Sequence, residues 1–252
     1  MTVTAIIQAR LGSTRLPGKT LIELEGVPLL GHLISRVRAC RNVDGIVIAT
    51  TVNQRDDRLE EYAKGLGIGC FRGDEDDVLD RFYGAAKEFG IATIVRVTPD
   101  CPMLDPDIVD MVVEEFLKSG ADYATNTLPP TYPDGMDVEV LSFSALETAW
   151  KESSLRSERE HVTPYIRNHP ERFTLVNVAG KEDLSRLRLT VDEQLDLDMA
   201  KEIFRRLYPG NRLFGLAEVL ALLECEPGLL EINQMIGRNE GYAKSLKEDA
   251  AL

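Results

Sequence analysis

No run of eighteen apolar residues occurs anywhere in these 252 residues, and a helix needs about that length to cross a bilayer. The opening MTVTAIIQAR has no basic n-region, and its apolar stretch is too short for a secretory leader, so a cytoplasmic location is expected. Cysteine is scarce. The four residues Cys40, Cys70, Cys101 and Cys225 include no CxxC pair, a pattern that speaks for reduced thiols and against a zinc site. The three histidines are far apart and add nothing to a case for zinc. Positive charge is in deficit, 29 Lys and Arg against 42 Asp and Glu, for a formal net charge of −13. Such a chain is a poor binder of nucleic acid or anionic membrane. There is no GxGxxG after any strand-like run, which removes support for a dinucleotide fold. Internal repeats and low-complexity segments are missing too.

What is present is a regular alternation. Strand-like runs at Val3–Gln8, Gly45–Thr51, Gly69–Arg72, Thr93–Thr98 and Asp122–Asn126 are separated by helical patterns at Pro28–Cys40, Asp56–Leu66, Asp76–Phe89 and Asp107–Lys118. Strands separated by helices of this length predict an α/β fold, a mostly parallel sheet with helices on both faces. Ligands of such sheets collect at the carboxyl ends of the strands. The second half reads less regularly: strands at Asp137–Leu141, Phe173–Val178 and Leu187–Val191, helices at Phe143–Lys151, Glu158–Asn168 and Glu193–Tyr208, and a mostly helical tail from Leu216. The simplest account is one domain over 1–252, with an inserted strand-and-helix arm near 128–178 for substrate binding or dimerisation.

Charge is unevenly spread. Residues 1–22 hold Arg10, Arg15 and Lys19 and no carboxylate. All three fall in or beside QARLGSTRLPGKT, directly after the first strand. The Gly-Lys-Thr ending imitates a P-loop, but a P-loop has four residues between its glycines, and Gly12 and Gly18 enclose five. Pro17 also removes a backbone N–H that a phosphate cradle would use. The segment still suits a polyphosphate. Gly12, Ser13 and Thr14 can turn their amides toward an anion. Arg10 and Arg15 offer forked contacts and Lys19 a point charge. An ordinary strand-to-helix loop, punctuated by Gly and Pro, is the plainer alternative.

Ala9–Leu21, ARLGSTRLPGKTL, resembles the N-terminal signature of the sugar-acid cytidylyltransferases, the 3-deoxy-manno-octulosonate and acylneuraminate cytidylyltransferases. EDDVLDRFYGA (75–85), RVTPDCPMLDP (96–106), YPDGMDVEVLS (132–142), EREHVTPYIRNHP (158–170) and INQMIGRNEGYAKSLKED (232–249) resemble the spore coat polysaccharide biosynthesis protein F branch of that family. The resemblance implies a nucleotide-diphospho-sugar transferase fold, Rossmann-like and three-layered. It implies CTP and a sugar acid as substrates and Mg²⁺ as cofactor; the inserted arm is what suggests a homodimer. It assigns Ala9, Arg10, Leu11, Gly12, Ser13, Thr14, Arg15 and Lys19 to the nucleotide phosphates, with Arg10, Lys19 and Asp100 as catalytic groups. It also sets the Arg72–Asp77 loop, with Arg72 and Asp77, near the cytosine base.

Two acids match the family's metal positions, Asp100 in the loop after Thr93–Thr98 and Asp192 in LRLTVDE. Oxygen ligands of this kind suit Mg²⁺ completed by phosphate and water. As alternatives, Asp100 is a turn residue and Asp192 a helix N-cap. Asp196 and Asp198 form a DxD, but two residues apart on a helix they do not share a face, and a solvated surface is expected. The run DEDD (74–77) is expected to start a helix. On the acceptor side, Asp137 and Glu139 alternate onto one strand face, and His161 with Arg159 flanks a helix start. These read either as sugar-binding groups or as polar residues of the arm. The expected reaction is attack of a sugar hydroxyl on CTP with loss of pyrophosphate. A nucleotide-sugar glycosyltransferase and a catalytically silent nucleotide-binding homologue are the rivals.

Overall fold

The computed structural model describes residues 2–238 and 240–250. Strand β1 (Val3–Gln8) is followed by a 3₁₀ turn at Lys19–Leu21, a small hairpin of β2 (Glu23–Leu24) and β3 (Val27–Pro28), and α1 (Leu29–Ala39). Then come β4 (Gly45–Thr51), α2 (Asp57–Gly65), β5 (Gly69–Gly73), α3 (Val78–Glu88), β6 (Thr93–Val97), α4 (Pro106–Ser119) and β7 (Tyr123–Thr125). Strand β8 (Glu139–Ser142), helices α5 (Phe143–Glu152), α6 (Arg156–His161) and α7 (Pro164–Asn168), and β9 (Leu175–Asn177) follow. Helices α8 (Gln194–Leu207), α9 (Leu216–Cys225) and α10 (Glu240–Asp249) complete the order.

Seven strands form one sheet in the order β5-β4-β1-β6-β8-β7-β9. All neighbours run parallel except β8, which is antiparallel to both β6 and β7. The mostly parallel sheet expected from the alternation is therefore what the chain builds. Successive strand residues feed opposite faces: Ala5, Ile7, Val95 and Val97 join one core cluster with the apolar faces of α1, α4 and α8. Ile6, Val47 and Ile94 join a second with α3 and α5. The segment 128–178 contributes β8 to the middle of this sheet and β9 to its edge. No helix among the described residues is long and apolar enough to cross a membrane.

The helix starts follow local chemistry. Asp105 caps α4, accepting from the Asp107 N–H ahead of Pro106, and Gly120 closes it in the left-handed region. Asp77 caps α3, accepting from Asp80 N–H, as its place in DEDD implies. Elsewhere the structure departs from the pattern. The helix expected over 158–168 is two pieces, α6 and α7. Val162 between them takes φ 72°, and Pro164 has no N–H to extend the first helix. Leu187–Val191 is extended but is not a strand of the sheet. Its hydrogen bonds go to two loops: Leu189 N–H donates to Asp134 O (2.6 Å) and Val191 N–H to Asp100 O (2.8 Å). Asp196, expected on a solvated surface, is 1% exposed. It accepts from Arg188 Nε, Asn233 Nδ2 and the Asp192 and Glu193 amides.

This topology creates the site. Because β1 pairs with β6 from Val3↔Thr93 to Ile7↔Val97, the loops leaving them emerge side by side. The extended 187–191 segment then docks against the second of those loops through the Val191–Asp100 bond.

Candidate active site

Lys19 stands where the three segments meet. It follows Gly18, whose φ of 69° turns the chain from the loop into the short 3₁₀ turn. Its Nζ donates to Asp100 Oδ2 at 2.9 Å, Asp192 Oδ1 at 2.6 Å and Val191 O at 3.2 Å. Burial acts to lower the Lys19 ammonium, but the Asp100 and Asp192 carboxylates outweigh it and hold the pKa above its usual value. Burial likewise acts to raise Asp100, yet Lys19 and the Thr98 hydroxyl hold it well below the usual carboxylate range. Arg15 reaches Asp192 at 3.0 Å, with Glu193 and Glu240 farther off at 3.6 and 3.9 Å.

The rest of the 9–18 loop is fixed by bonds to its main-chain groups. Ala9 N–H donates to Ala49 O (3.1 Å) and Gly18 N–H to Leu11 O (3.2 Å). Leu11 N–H donates to Asp56 Oδ1 (2.8 Å), and Thr20 Oγ1 to Arg10 O (3.1 Å). Ser13 Oγ accepts from Leu16 N–H, and Thr14 is exposed. Arg10 approaches Glu75 at 3.6 Å. Arg72 and Asp77 are not brought to this cluster. Arg72 binds Asp57 and Glu60 on α2 and the Thr51 and Asn53 carbonyls. Asp77 is taken by Arg159 of α6.

A cavity of about 330 Å³ adjoins Lys19, with Arg15, Asp100, Asp192, Asp137, Glu139 and His161 on its wall. Both metal-position acids and all three acceptor-side residues thus share one space. Glu139 is deeply set, opposite Arg96 in the β6–β8 register and ion-paired to it. It also accepts from the Tyr123 and Thr163 hydroxyls. Burial alone would raise its carboxyl, but Arg96, Arg167 and these hydroxyls hold it below the usual value. Asp137 is paired with Arg238, yet burial prevails and pushes its carboxyl up to about 7. Burial lowers His161 to about 4, so the ring is neutral at pH 7. Its Nε2 lies 3.0 Å from Ser245 Oγ.

The cationic half of the wall escaped the sequence reading. Arg96, Arg167, Arg188 and Arg238 all line the cavity. Arg188 is bound to Asp134 at 2.8 Å, Asp196 at 2.9 Å and Asp192 at 3.3 Å. Among the described residues, Arg167 alone of these four has no carboxylate within ion-pair distance. It lies 5.4 Å over the Tyr242 ring. The available signal was a charge flanked by apolar residues, Arg96 in TIVRVT and Arg188 in LRLTV. An ion so placed needs a buried partner.

Among the described residues, no group of three or more His, Cys, Asp or Glu side chains forms a metal cage. The donors do fit a hard divalent cation that phosphate and water complete. Two carboxylates, Asp100 and Asp192, already converge on one cationic atom, Lys19 Nζ.

A doubly covered, mostly parallel sheet with a cationic loop and paired acids on its carboxyl rim is the architecture of a nucleotidyltransferase. The cytidylyltransferase family model matches residues 4–233, and the chain belongs to that family. It is 35% identical over 230 residues to spore coat polysaccharide biosynthesis protein SpsF of Bacillus subtilis, covering 88% of this chain and 94% of the relative. A 3-deoxy-manno-octulosonate cytidylyltransferase of Geobacter sulfurreducens is 33% identical over 123 residues, 48% of each chain. The structure of a cytidylyltransferase from Leptospira borgpetersenii superposes with a TM-score of 0.86 at 34% identity, covering 91% of this chain and 97% of that one.

Proposed function

We propose that this nucleotidyltransferase joins CTP to a sugar acid, giving a CMP-sugar and pyrophosphate for a surface or coat polysaccharide. The observation that carries the reading is the meeting of Lys19 with Asp100 and Asp192 beside a polar cavity. The 3-deoxy-manno-octulosonate relative supports the acceptor class, and the spore coat relative supports the polysaccharide role.

In this reading Arg10, Arg15, Lys19 and the amides of Gly12, Ser13 and Thr14 bind the triphosphate, with Ala9 and Leu11 anchoring the loop. Asp100 and Asp192 hold Mg²⁺, which when bound offsets phosphate charge. Lys19 stabilises the negative charge that builds on the phosphates as the acceptor hydroxyl attacks the α-phosphorus. Catalysis is then mainly positioning and charge neutralisation. Arg167, with no carboxylate partner among the described residues, takes the acceptor's carboxylate, and Asp137, Glu139 and His161 orient its hydroxyls. Arg72 and Asp77 have other partners in this structure and are left out of the base contacts.

The test is a screen of CTP and UTP against a panel of sugar acids, reading pyrophosphate release and product mass, with and without chelator. The expected result is Mg²⁺-dependent pyrophosphate and a CMP-sugar. Release of CMP or UDP would indicate a glycosyltransferase, and CTP binding without pyrophosphate from any acceptor would indicate a silent homologue.

A further inference from the structure

We propose that Arg55 is a further cationic arm of the triphosphate site, held ready beside the phosphate loop by Glu75. Strand β4 lies next to β1 in the sheet, so the turn after β4 stands on the same rim as the 9–18 loop. That turn carries Asn53 and Arg55. Both bind the carboxylate of Glu75, Asn53 through Nδ2 on one oxygen and Arg55 through Nη2 on the other. Arg10 Nη1 lies 3.6 Å from the oxygen that Arg55 holds. Two guanidinium groups and an amide thus converge on one small anion.

Gly12 explains how Arg55 comes so near. A Cβ at Gly12 would lie 2.6 Å from Arg55 Nη2 and 3.0 Å from Glu75 Oε1. Any side chain there would push the guanidinium off the loop. The glycine therefore does more than free the loop's amides; it gives the neighbouring turn a place against the loop's main chain.

The trio is suited to exchanging its anion. Arg10 and Arg55 are 39% and 48% exposed, and ion pairs that open to water hold little stability. A polyphosphate offers guanidinium forks more charge and more oxygens than a carboxylate does. The Glu75 backbone stays where it is, because Arg81 Nη1 donates to its carbonyl at 2.8 Å. Only the Glu75 side chain has to swing aside.

This inference rests on the CTP reading above, and the experiment separates the two. Calorimetry with Mg²⁺ compares inorganic tripolyphosphate, cytidine and CTP binding to the wild type, Arg55→Ala, Arg55→Lys and Glu75→Gln. Arg55→Ala is expected to weaken tripolyphosphate and CTP roughly tenfold, with cytidine unchanged and Arg55→Lys in between. Glu75→Gln, which removes the competing charge, is expected to tighten tripolyphosphate about threefold. Thermal melts confirm that each variant is folded. Wild-type tripolyphosphate affinity in folded Arg55→Ala overturns the assignment of Arg55, and unchanged or weaker affinity in Glu75→Gln overturns the holding role. A wild-type protein that binds neither CTP nor tripolyphosphate overturns the nucleotide reading itself.

Discussion

Lys19 and Asp192 are 173 residues apart in the chain and 2.6 Å apart in space. With Asp100 on the other side of the ammonium, Lys19→Ala strips Asp100 of its cationic partner and leaves Asp192 to Arg15 and Arg188. Pyrophosphate release should fall roughly 10²–10³-fold, the usual cost of losing one such stabilising group. Lys19→Arg should not restore it. A compact ammonium fits between two carboxylates 2.6 and 2.9 Å away, and a planar guanidinium does not. Steady-state rates of the three proteins at saturating CTP check this.

The Arg96–Glu139 pair spans β6 and β8 with side chains only 13% and 8% exposed. Removing one partner of a buried pair costs about 3–5 kcal/mol, and Arg96→Met should lose that much in urea unfolding. Arg96→Met combined with Glu139→Gln should recover part of it. The pair also gives an acid limb. Glu139 titrates lower when folded than its ordinary 4.5. Its contribution is therefore present above that value and is lost as pH falls through the folded pKa. Stability of the wild type should drop below pH 4.5, and that drop should shrink in the double variant.

Asp137 has the opposite sign. Burial pushes its carboxyl up to about 7 from an ordinary 3.8, so the folded chain holds a proton that the unfolded chain has released. Stability should decline as pH rises from about 4 to 7 and level off above. The side chain is 31% exposed to the cavity, so solvent reduces the effect to roughly 1 kcal/mol. Urea unfolding from pH 4 to 8 should show this slope in the wild type and a flatter one in Asp137→Asn.

Gly135 couples its own turn to the 187–191 segment. It takes φ 103°, and a Cβ there would lie 2.6 Å from Thr190 N and 2.7 Å from Leu189 C. Both neighbours are main chain and have no rotamer to yield. Gly135→Ala combines an unsuitable φ with a clash, and should cost at least about 2 kcal/mol. It should also part the 187–191 segment from residue 134, which unfolding midpoints and the proton shifts of the Leu189 amide would report.

Val3–Gln8 and Gly45–Thr51 are visible in the sequence to the residue, because each is an unbroken β-rich apolar run between polar turns. The first cationic loop and its two distant acids are visible as types and positions, and the fold brings Lys19, Asp100 and Asp192 together. Periodicity was no guide where a segment's partner lies outside the regular lattice. Leu187–Val191 reads like a strand from its alternating sequence, but Arg188 and Thr190 are buried along with Leu189 and Val191, and its backbone partners are loops. Asp196 looks like surface on a helical wheel until Arg188, eight residues earlier, folds over it. Arg72 and Asp77 are bound to α2 and α6 and not to the cluster around Lys19. A pattern of burial says which side chains leave water, and not which ones they meet.

Strand β8 is threaded between β6 and β7 and runs against both. A fragment ending before residue 139 would leave the β6 edge bare and Arg96 without its counter-ion. The two halves of the chain are therefore not separable modules, one for the nucleotide and one for the acceptor. A relative's acceptor region could not be transplanted here as a cassette, since doing so would replace the middle of the sheet. Acceptor preference in this architecture must drift through side chains on a fixed frame.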